Sequence, residues 1–278
     1  MGQKINPTLY RLGSNLEWKS SYKAHNKNEE SSYVIQDLHL RKFVHQYFKK
    51  CQFMLCDIKI RRTPTTIGFL ISYYKLPNRL SFPVEDKEDF TYAIESYSKN
   101  LTESLRAFLP NDAVVKVWLR RNNKSPYTFS KDKHLFRRFG LIMSSLRRFK
   151  KDPHFNDLNN LMLTVVSHRY SAQILADSVA RILPQTKRQS AFLNLLRKMF
   201  TLFVDSNLSK LKGLKLLVRG RLNGRPRAKT TLIQVGKMPN QTLSSVIHHA
   251  QSTSYTSDGT FGITVWICVK EHTNVFTT

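Results

Sequence analysis

Along residues 36–50 the apolar positions Leu38, Phe43, Val44, Tyr47 and Phe48 recur at helical spacing, with Arg41, Lys42, Lys49 and Lys50 between them, which predicts an amphipathic helix. Two β-rich runs follow, CDIKIRR at 56–62 and TIGFLISYY at 66–74. Thr63-Pro64-Thr65 between them reads as a turn, so the pair predicts a hairpin. The stretch 76–89 reads as a loop ending in Glu85, Asp86, Glu88 and Asp89, acids that suit the first turn of a helix over about 87–108. Pro110 and Asn111 stop that helix, and AVVKVWLR at 113–120 reads as another strand. The order α-β-β-α-β thus occupies residues 36–120, after an extended tail over 1–35.

Residues 121–170 interrupt the pattern with polar and basic text, and read as an inserted or linking segment. Arg137-Arg138 and Arg147-Arg148 stand beside Phe136, Phe139 and Phe149, which suits either RNA stacking or burial of the rings in a short helical hairpin. After Ser171, a fair N-cap, Ala172, Leu175, Ala176, Val179, Ile182 and Leu183 mark a helix that Pro184 ends. A second helix is predicted from about 188 to 211, with Phe192, Leu195, Leu196, Met199, Phe203 and Val204 on one face and Gly213 as its C-terminal cap. Strands at 214–222 and 228–236, a short helix near 241–249 and a closing strand pair complete the pattern. In the last strand Ile263, Val265, Ile267 and Val269 alternate with Thr264, Trp266, Cys268 and Lys270, so one face is buried against the two helices. The expected fold class is α+β. A two-helix and β-sheet domain covers 171–272, and a tail covers 273–278.

Charge changes this picture from fold to function. Across 278 residues, 45 Lys+Arg stand against 19 Asp+Glu, a formal net charge of +26. Such an excess opposes a compact state unless a polyanion neutralises it, and nucleic acid is the commonest one. Residues 116–151 hold twelve Lys/Arg and one acid, and residues 181–229 hold thirteen and one, which places the polyanion along those segments. No run of about 18 apolar residues exists to span a bilayer, and the cations are not gathered on one amphipathic helix, so a membrane partner is not expected. Cys51, Cys56 and Cys268 lack the paired spacing of a zinc site or disulfide scaffold and read as small apolar residues in a reducing compartment. The opening residues show neither a secretory core nor a transit peptide.

Enzyme chemistry finds no support. No phosphate loop and no set of acids converging on a metal is present, and Glu85 to Asp89 read better as a solvated helix start. His248-His249, placed on the predicted 241–249 helix, would point about 100° apart with no companion ligand, and His168 suits an RNA contact or packing. Neither a cofactor nor a homo-oligomer is expected. The most specific local motif is GRLNGRPRAK at 220–229. Gly220 and Gly224 permit a tight turn between strands, and Arg219, Arg221, Arg225, Arg227 and Lys229 project cations from one hairpin, whose guanidinium forks match phosphate oxygens.

The order and wording of several segments resemble small-subunit ribosomal protein 3. MGQKINPTLYRLG resembles that family's N-terminal tail, SAQILADSVARIL the start of its C-terminal domain, and GLKLLVRGRLNGRPRAKT its Gly-Arg-Leu hairpin. GKMPNQTLSSVIHHAQSTSYTSDGTFGITVWICVK resembles its closing pattern. The resemblance is strong over 1–18 and 171–270, weak over 36–120 and absent over 121–166.

It implies a non-enzymatic rRNA-binding constituent of a small ribosomal subunit, with a type II KH-like N-terminal domain. The RNA-clamping G-x-x-G loop of that fold should follow the second strand, where this chain reads YYKLPNRLSF. A KH-like domain degenerate in this way is expected to dock rRNA and protein rather than read single strands. The resemblance implies that the tail orders only in the assembled subunit, with Lys4 and Arg11 on rRNA in the head. Further candidate rRNA contacts are Lys19, Arg120, Arg121, Arg188, Arg219, Arg221, Arg225, Arg227 and Lys229. Aligned on Phe192, Leu193 and Asn194 stand where the family has an Arg pair, and Arg197 and Lys198 fall on its next basic positions, which face mRNA at the entrance channel. Expected partners are small-subunit rRNA, mRNA and small-subunit ribosomal proteins 10 and 14. The missing glycine pair, the 121–166 segment and the start at Met1 suggest a mitochondrial form, a plastid form being the less favoured. A free-standing organellar RNA-processing or nucleic-acid-packaging protein is the competing class.

Overall fold

A computed structural model describes residues 4–24, 26–63, 65–75, 87–109, 114–122, 133–150, 152–166, 171–206 and 211–270. The chain forms two compact units, one of residues 18–122 and one that joins residues 1–17 to residues 123–278. Helix and strand are mixed in both, an α+β architecture.

In the 18–122 unit a four-stranded sheet has the order β1-β2-β3-β4, from β1 (Ser20–Ser21), β2 (Phe53–Arg62), β3 (Thr66–Lys75) and β4 (Val114–Arg121). β2 and β3 form the predicted antiparallel hairpin, while β4 returns parallel to β3. One face is covered by helix α2 (Lys27–Lys50) and helix α3 (Lys87–Arg106), whose Leu40, Val44, Phe48, Leu101 and Leu105 close on Ile58, Ile60, Ile67, Phe69, Ile71 and Val115. Helix α2 starts at Lys27 rather than near 36, because Glu29 and Glu30 complement the dipole of an added first turn. Its buried stripe runs Leu40–Val44–Phe48, and Leu38, expected inside, is 53% exposed. Asp37 is buried beneath it and accepts from Arg62 Nε at 2.9 Å, so the charge near the core is paired. Of the expected helix start, Glu85 and Asp86 lie outside the described residues, as does the loop segment 76–82.

In the other unit the sheet order is β6-β5-β8-β7, all antiparallel. It is built from β5 (Leu211–Gly220), β6 (Lys229–Gly236), β7 (Ile247–Thr256) and β8 (Gly259–Val269). Leu214, Leu216, Val218, Ile233, Phe261, Ile263, Val265 and Ile267 form its buried face. Helix α6 (Ala172–Ile182) and helix α7 (Gln189–Asp205) pack there, as the alternation in the last strand predicts. Ser171 caps α6 by accepting from Ile174 N. The 121–166 segment holds helices α4 (Lys133–Ser145) and α5 (Phe155–Val166), with Ile142, Leu146, Phe155, Leu158 and Met162 buried. Phe139 and Phe149 are half-buried beside the exposed Arg137, Arg138, Arg147 and Arg148.

Two predicted features are absent from the described residues. Helix α7 ends at Asp205 rather than 211, and Gly213 is not its cap but lies inside β5. A Cβ there would stand 2.3 Å from the Lys237 carbonyl oxygen, so that glycine serves the close approach of two backbones. The short helix near 241–249 does not form either. Residues 241–246 turn instead and lead into β7, on which His248 and His249 alternate across the sheet opposite Ile267 and Trp266.

The missing helix has a physical cause. The short helix α1 (Pro7–Tyr10), which Asn6 caps through its side chain, is followed by Arg11, and Arg11 is fully buried. Its Nε donates to Ser245 O at 2.8 Å, and its Nη2 lies 2.7 Å from Thr242 O, 2.9 Å from Asn240 O and 3.2 Å from Pro239 O. Nη1 donates to Pro7 O at 3.1 Å. Carbonyls that a helix over 241–249 would use internally converge on one guanidinium instead. The tail expected to order only on rRNA is therefore docked on the C-terminal sheet, where α1 meets β7.

Candidate nucleic-acid interface

The exposed cations of the C-terminal sheet unit gather around the β5–β6 connection. After Gly220 the chain makes a 3-10 turn over Leu222–Gly224, within which Asn223 adopts the left-handed conformation at φ 53°. That conformation turns the Asn223 side chain onto the start of α7. Its Oδ1 accepts from Gln189 N at 3.0 Å, and its own N–H donates to Gln189 Oε1 at 2.9 Å. Nδ2 reaches Ser190 Oγ at 3.1 Å. Arg188 holds the N-cap position of α7 without a side-chain cap bond, so the hairpin supplies the cap from 34 residues away.

This reciprocal pair fixes the basic hairpin against a helix N-terminus, where the backbone already favours anions. Lys187, Arg188, Arg221, Arg225, Arg227 and Lys229 are all exposed there. Arg221 Nε donates to Arg225 O at 2.7 Å, which holds the loop's two arms together. An open cleft of about 640 Å³ lies beside it, lined in part by Lys187, Gln189, Asn223, Gly224 and Tyr255. Gly220 carries no side chain because the Phe261 ring occupies that space, 2.2 Å from where a Cβ would sit.

Along α7 the exposed residues include Asn194, Arg197 and Lys198, whereas Leu193 is buried. The Arg197 guanidinium lies 3.5 Å from Leu232 O on β6, an edge strand of the sheet. Arg219 points outward from β5, on the sheet face turned away from the helices. That face also holds a row unforeseen in the sequence, Lys215, Trp266 and His249, in register across β5, β8 and β7. Lys215 Nζ stands 5.1 Å from the Trp266 ring centre and the His249 ring 5.3 Å from it. Burial lowers the pKa of His249, keeping it neutral beside these groups. Reading each strand by alternation gives the row only once strand pairing is known. None of the four strands contains an acid.

The tail candidates divide. Lys4 is exposed, but Arg11 is withdrawn from any RNA by its carbonyl cage. In the 18–122 unit Lys19 pairs with Asp57 at 2.9 Å, and Arg120 and Arg121 stand exposed at the end of β4. Arg41, which carried no assignment from the sequence, binds Ile58 O at 2.8 Å and Lys19 O at 2.9 Å and so ties β1 to β2. Burial lowers its pKa, against the pull of Asp37 and Asp57. Among the described residues no group of His, Cys, Asp and Glu could hold a metal ion, and no helix is long and apolar enough to cross a membrane.

Comparison with known proteins meets this geometry in the same place. A family model described as ribosomal protein S3, C-terminal domain, matches residues 185–267, which contain α7, the basic hairpin and its four strands up to the last two residues of β8. The chain is 26% identical over 276 residues to small ribosomal subunit protein uS3c of Tupiella akineta, covering 98% of this chain and 100% of that protein. It is 24% identical over 268 residues to uS3 of Mycoplasma pneumoniae, covering 96% and 75%. It is 26% identical over 267 residues to uS3 of Oleidesulfovibrio alaskensis, covering 96% and 94%. The likeness thus extends over nearly the whole chain, well past the end segments whose motifs carry it. The family is structural and non-enzymatic, with rRNA binding general to it. Residues 185–267 thus match a ribosomal protein S3 C-terminal domain, and nearly the whole chain is similar, at 24–26% identity, to small ribosomal subunit proteins of the uS3 type.

Proposed function

We propose that the chain is an rRNA-binding constituent of a mitochondrial small ribosomal subunit, seated in the head beside small-subunit ribosomal proteins 10 and 14. The observation that carries the RNA reading is the Asn223–Gln189 pair. It holds Arg221, Arg225, Arg227 and Lys229 in one exposed cluster at the N-terminus of α7. Arg188, Arg219 and Lys4 extend the contact, while Lys19, Arg120 and Arg121 serve the 18–122 unit, which we read as a degenerate KH-like domain. Its α-β-β-α-β order supports that reading. Arg197 and Lys198, exposed midway along α7, face mRNA at the entrance channel. Where a G-x-x-G loop would stand, YYKLPNRLSF has no glycine pair, and the family resemblance implies that chloroplast members generally keep that loop. That difference favours the mitochondrion.

Sedimentation of an organellar lysate tests this. The protein should travel with the small subunit of mitochondria. A predominant ribosome-free pool would favour a free-standing RNA-processing protein, and co-sedimentation in plastids would move the location but keep the function.

A further inference from the structure

The face of the N-terminal sheet turned away from α2 and α3 is an unassigned surface with its own chemistry. Strand alternation and register place Arg61, Gly68 and Lys116 in one row across β2, β3 and β4, and Leu70 beside Trp118 in the next. Ser72 and Arg120 follow. Arg61, Lys116 and Arg120 are exposed, and Trp118 is 55% exposed. The indole does not stand off the strand. A Cβ on Gly68 would lie 2.8 Å from Trp118 Cζ3 and 3.4 Å from Cη2, so the six-membered ring covers that glycine, between Arg61 and Lys116.

An exposed indole laid over its neighbour strand and flanked by cations is an arrangement few ligands satisfy. Asp57 is the only acid in strands β2, β3 and β4, and Lys19 neutralises it at 2.9 Å. The face is therefore positive without internal compensation, which repels basic partners and attracts a polyanion. An apolar protein would leave Arg61 and Lys116 desolvated and unpaired. RNA satisfies both parts, because phosphates meet the cations while a base meets the ring.

We propose that this face is an RNA platform on which Trp118 stacks an unpaired base of structured rRNA while Arg61, Lys116 and Arg120 hold the adjoining phosphates. The proposal rests on the rRNA-binding reading above but uses none of the hairpin residues. Gly68 is part of the device, since any side chain there would lift the indole off the sheet.

The test uses the full chain and a transcript of the head domain of small-subunit rRNA, with the affinity measured across a salt series. Trp118→Ala should weaken binding about tenfold, the loss expected for one base–aromatic stack, and Trp118→Phe should restore most of it. Arg61→Ala/Lys116→Ala should instead reduce the log–log salt slope by about 1.5. Trp118 is exposed, so both variants should keep the thermal transition of the parent, and ultraviolet cross-linking should place a nucleotide on Trp118 in the unmutated chain. Unchanged affinity and slope in these variants, with the usual loss in Arg225→Ala/Arg227→Ala, would overturn the platform and leave the RNA reading standing. Loss of a co-purifying acidic protein with RNA binding intact would overturn it too. If the unmutated chain fails to bind the transcript at low salt, the rRNA reading itself falls.

Discussion

Arg11 Nε donates to the carbonyl of Ser245 across 234 positions of the chain, inside a site with no solvent access. A guanidinium offers donors in a planar fork, and here they meet the carbonyls of Pro7, Pro239, Asn240, Thr242 and Ser245. Arg11→Ala would remove the donors to the Ser245 and Pro7 carbonyls and leave Pro239 O and Thr242 O only Ser245 Oγ, at about 1–3 kcal/mol for each buried acceptor that finds no water. The variant should lose about 2–4 kcal/mol in urea unfolding of the full chain, and Arg11→Lys should recover little because an ammonium cannot span the cage. Deleting residues 1–13 should do the same. An unchanged transition would mean the tail is dispensable for folding.

Removal of the Asn223 side chain tests the cap in trans. Asn223→Gly keeps the left-handed backbone but removes the bond to Gln189 N, and should cost about 1 kcal/mol. Asn223→Ala should cost more, since alanine also resists φ 53°. Both should weaken rRNA binding by loosening the hairpin. Equal stability of the glycine and parent proteins would remove the cap from the account.

Gly220→Ala places a methyl group against the Phe261 ring. The clash should cost about 1–3 kcal/mol, as overpacking of a filled core does. Combination with Phe261→Leu should cost less than the two single changes added, measured as a double-mutant cycle. Strict additivity would show that the two sites do not touch.

Arg225 and Arg227 are exposed in the hairpin. If each meets a phosphate, Arg225→Ala/Arg227→Ala should lower the log–log salt slope of rRNA binding by about 1.5 to 2. An unaltered slope would turn this hairpin toward solvent or protein.

Acidification should act through His249, whose pKa burial lowers below that of the unfolded chain. Below the unfolded value of about 6.5 the unfolded chain binds the proton first, so stability present at neutral pH is lost as pH falls toward the folded value. His249→Phe should flatten that part of the stability-versus-pH curve relative to the parent. Parallel curves would assign the acid sensitivity elsewhere.

The strands and helices with strong periodicity were legible because burial follows it. Leu214, Leu216 and Val218 in β5 and Ile263, Val265 and Ile267 in β8 alternate in sequence and in burial alike. The basic hairpin between β5 and β6 was legible through its glycines and arginines. What escaped was decided at long range. Nothing local to residues 241–249 announces that Arg11 will take their carbonyls, and nothing near Gln189 announces a cap from Asn223. Gly213 resembles a helix cap by position but answers to the Lys237 backbone. Trp118 reads as an ordinary strand residue until Gly68 is found beneath it.

The cage around Arg11 also orders events during synthesis. Arg11 leaves the ribosome early, whereas Ser245 follows 234 residues later, after the whole 18–122 unit has emerged. That intervening unit can fold while the chain is still growing, since domains fold as units as they emerge. The unit that joins residues 1–17 to residues 123–278 cannot close until its final hairpin arrives. Until then Arg11 is a bare cation, open to chaperones or to RNA. Completion of the chain withdraws it, so a prematurely terminated product would stay marked by an exposed basic tail.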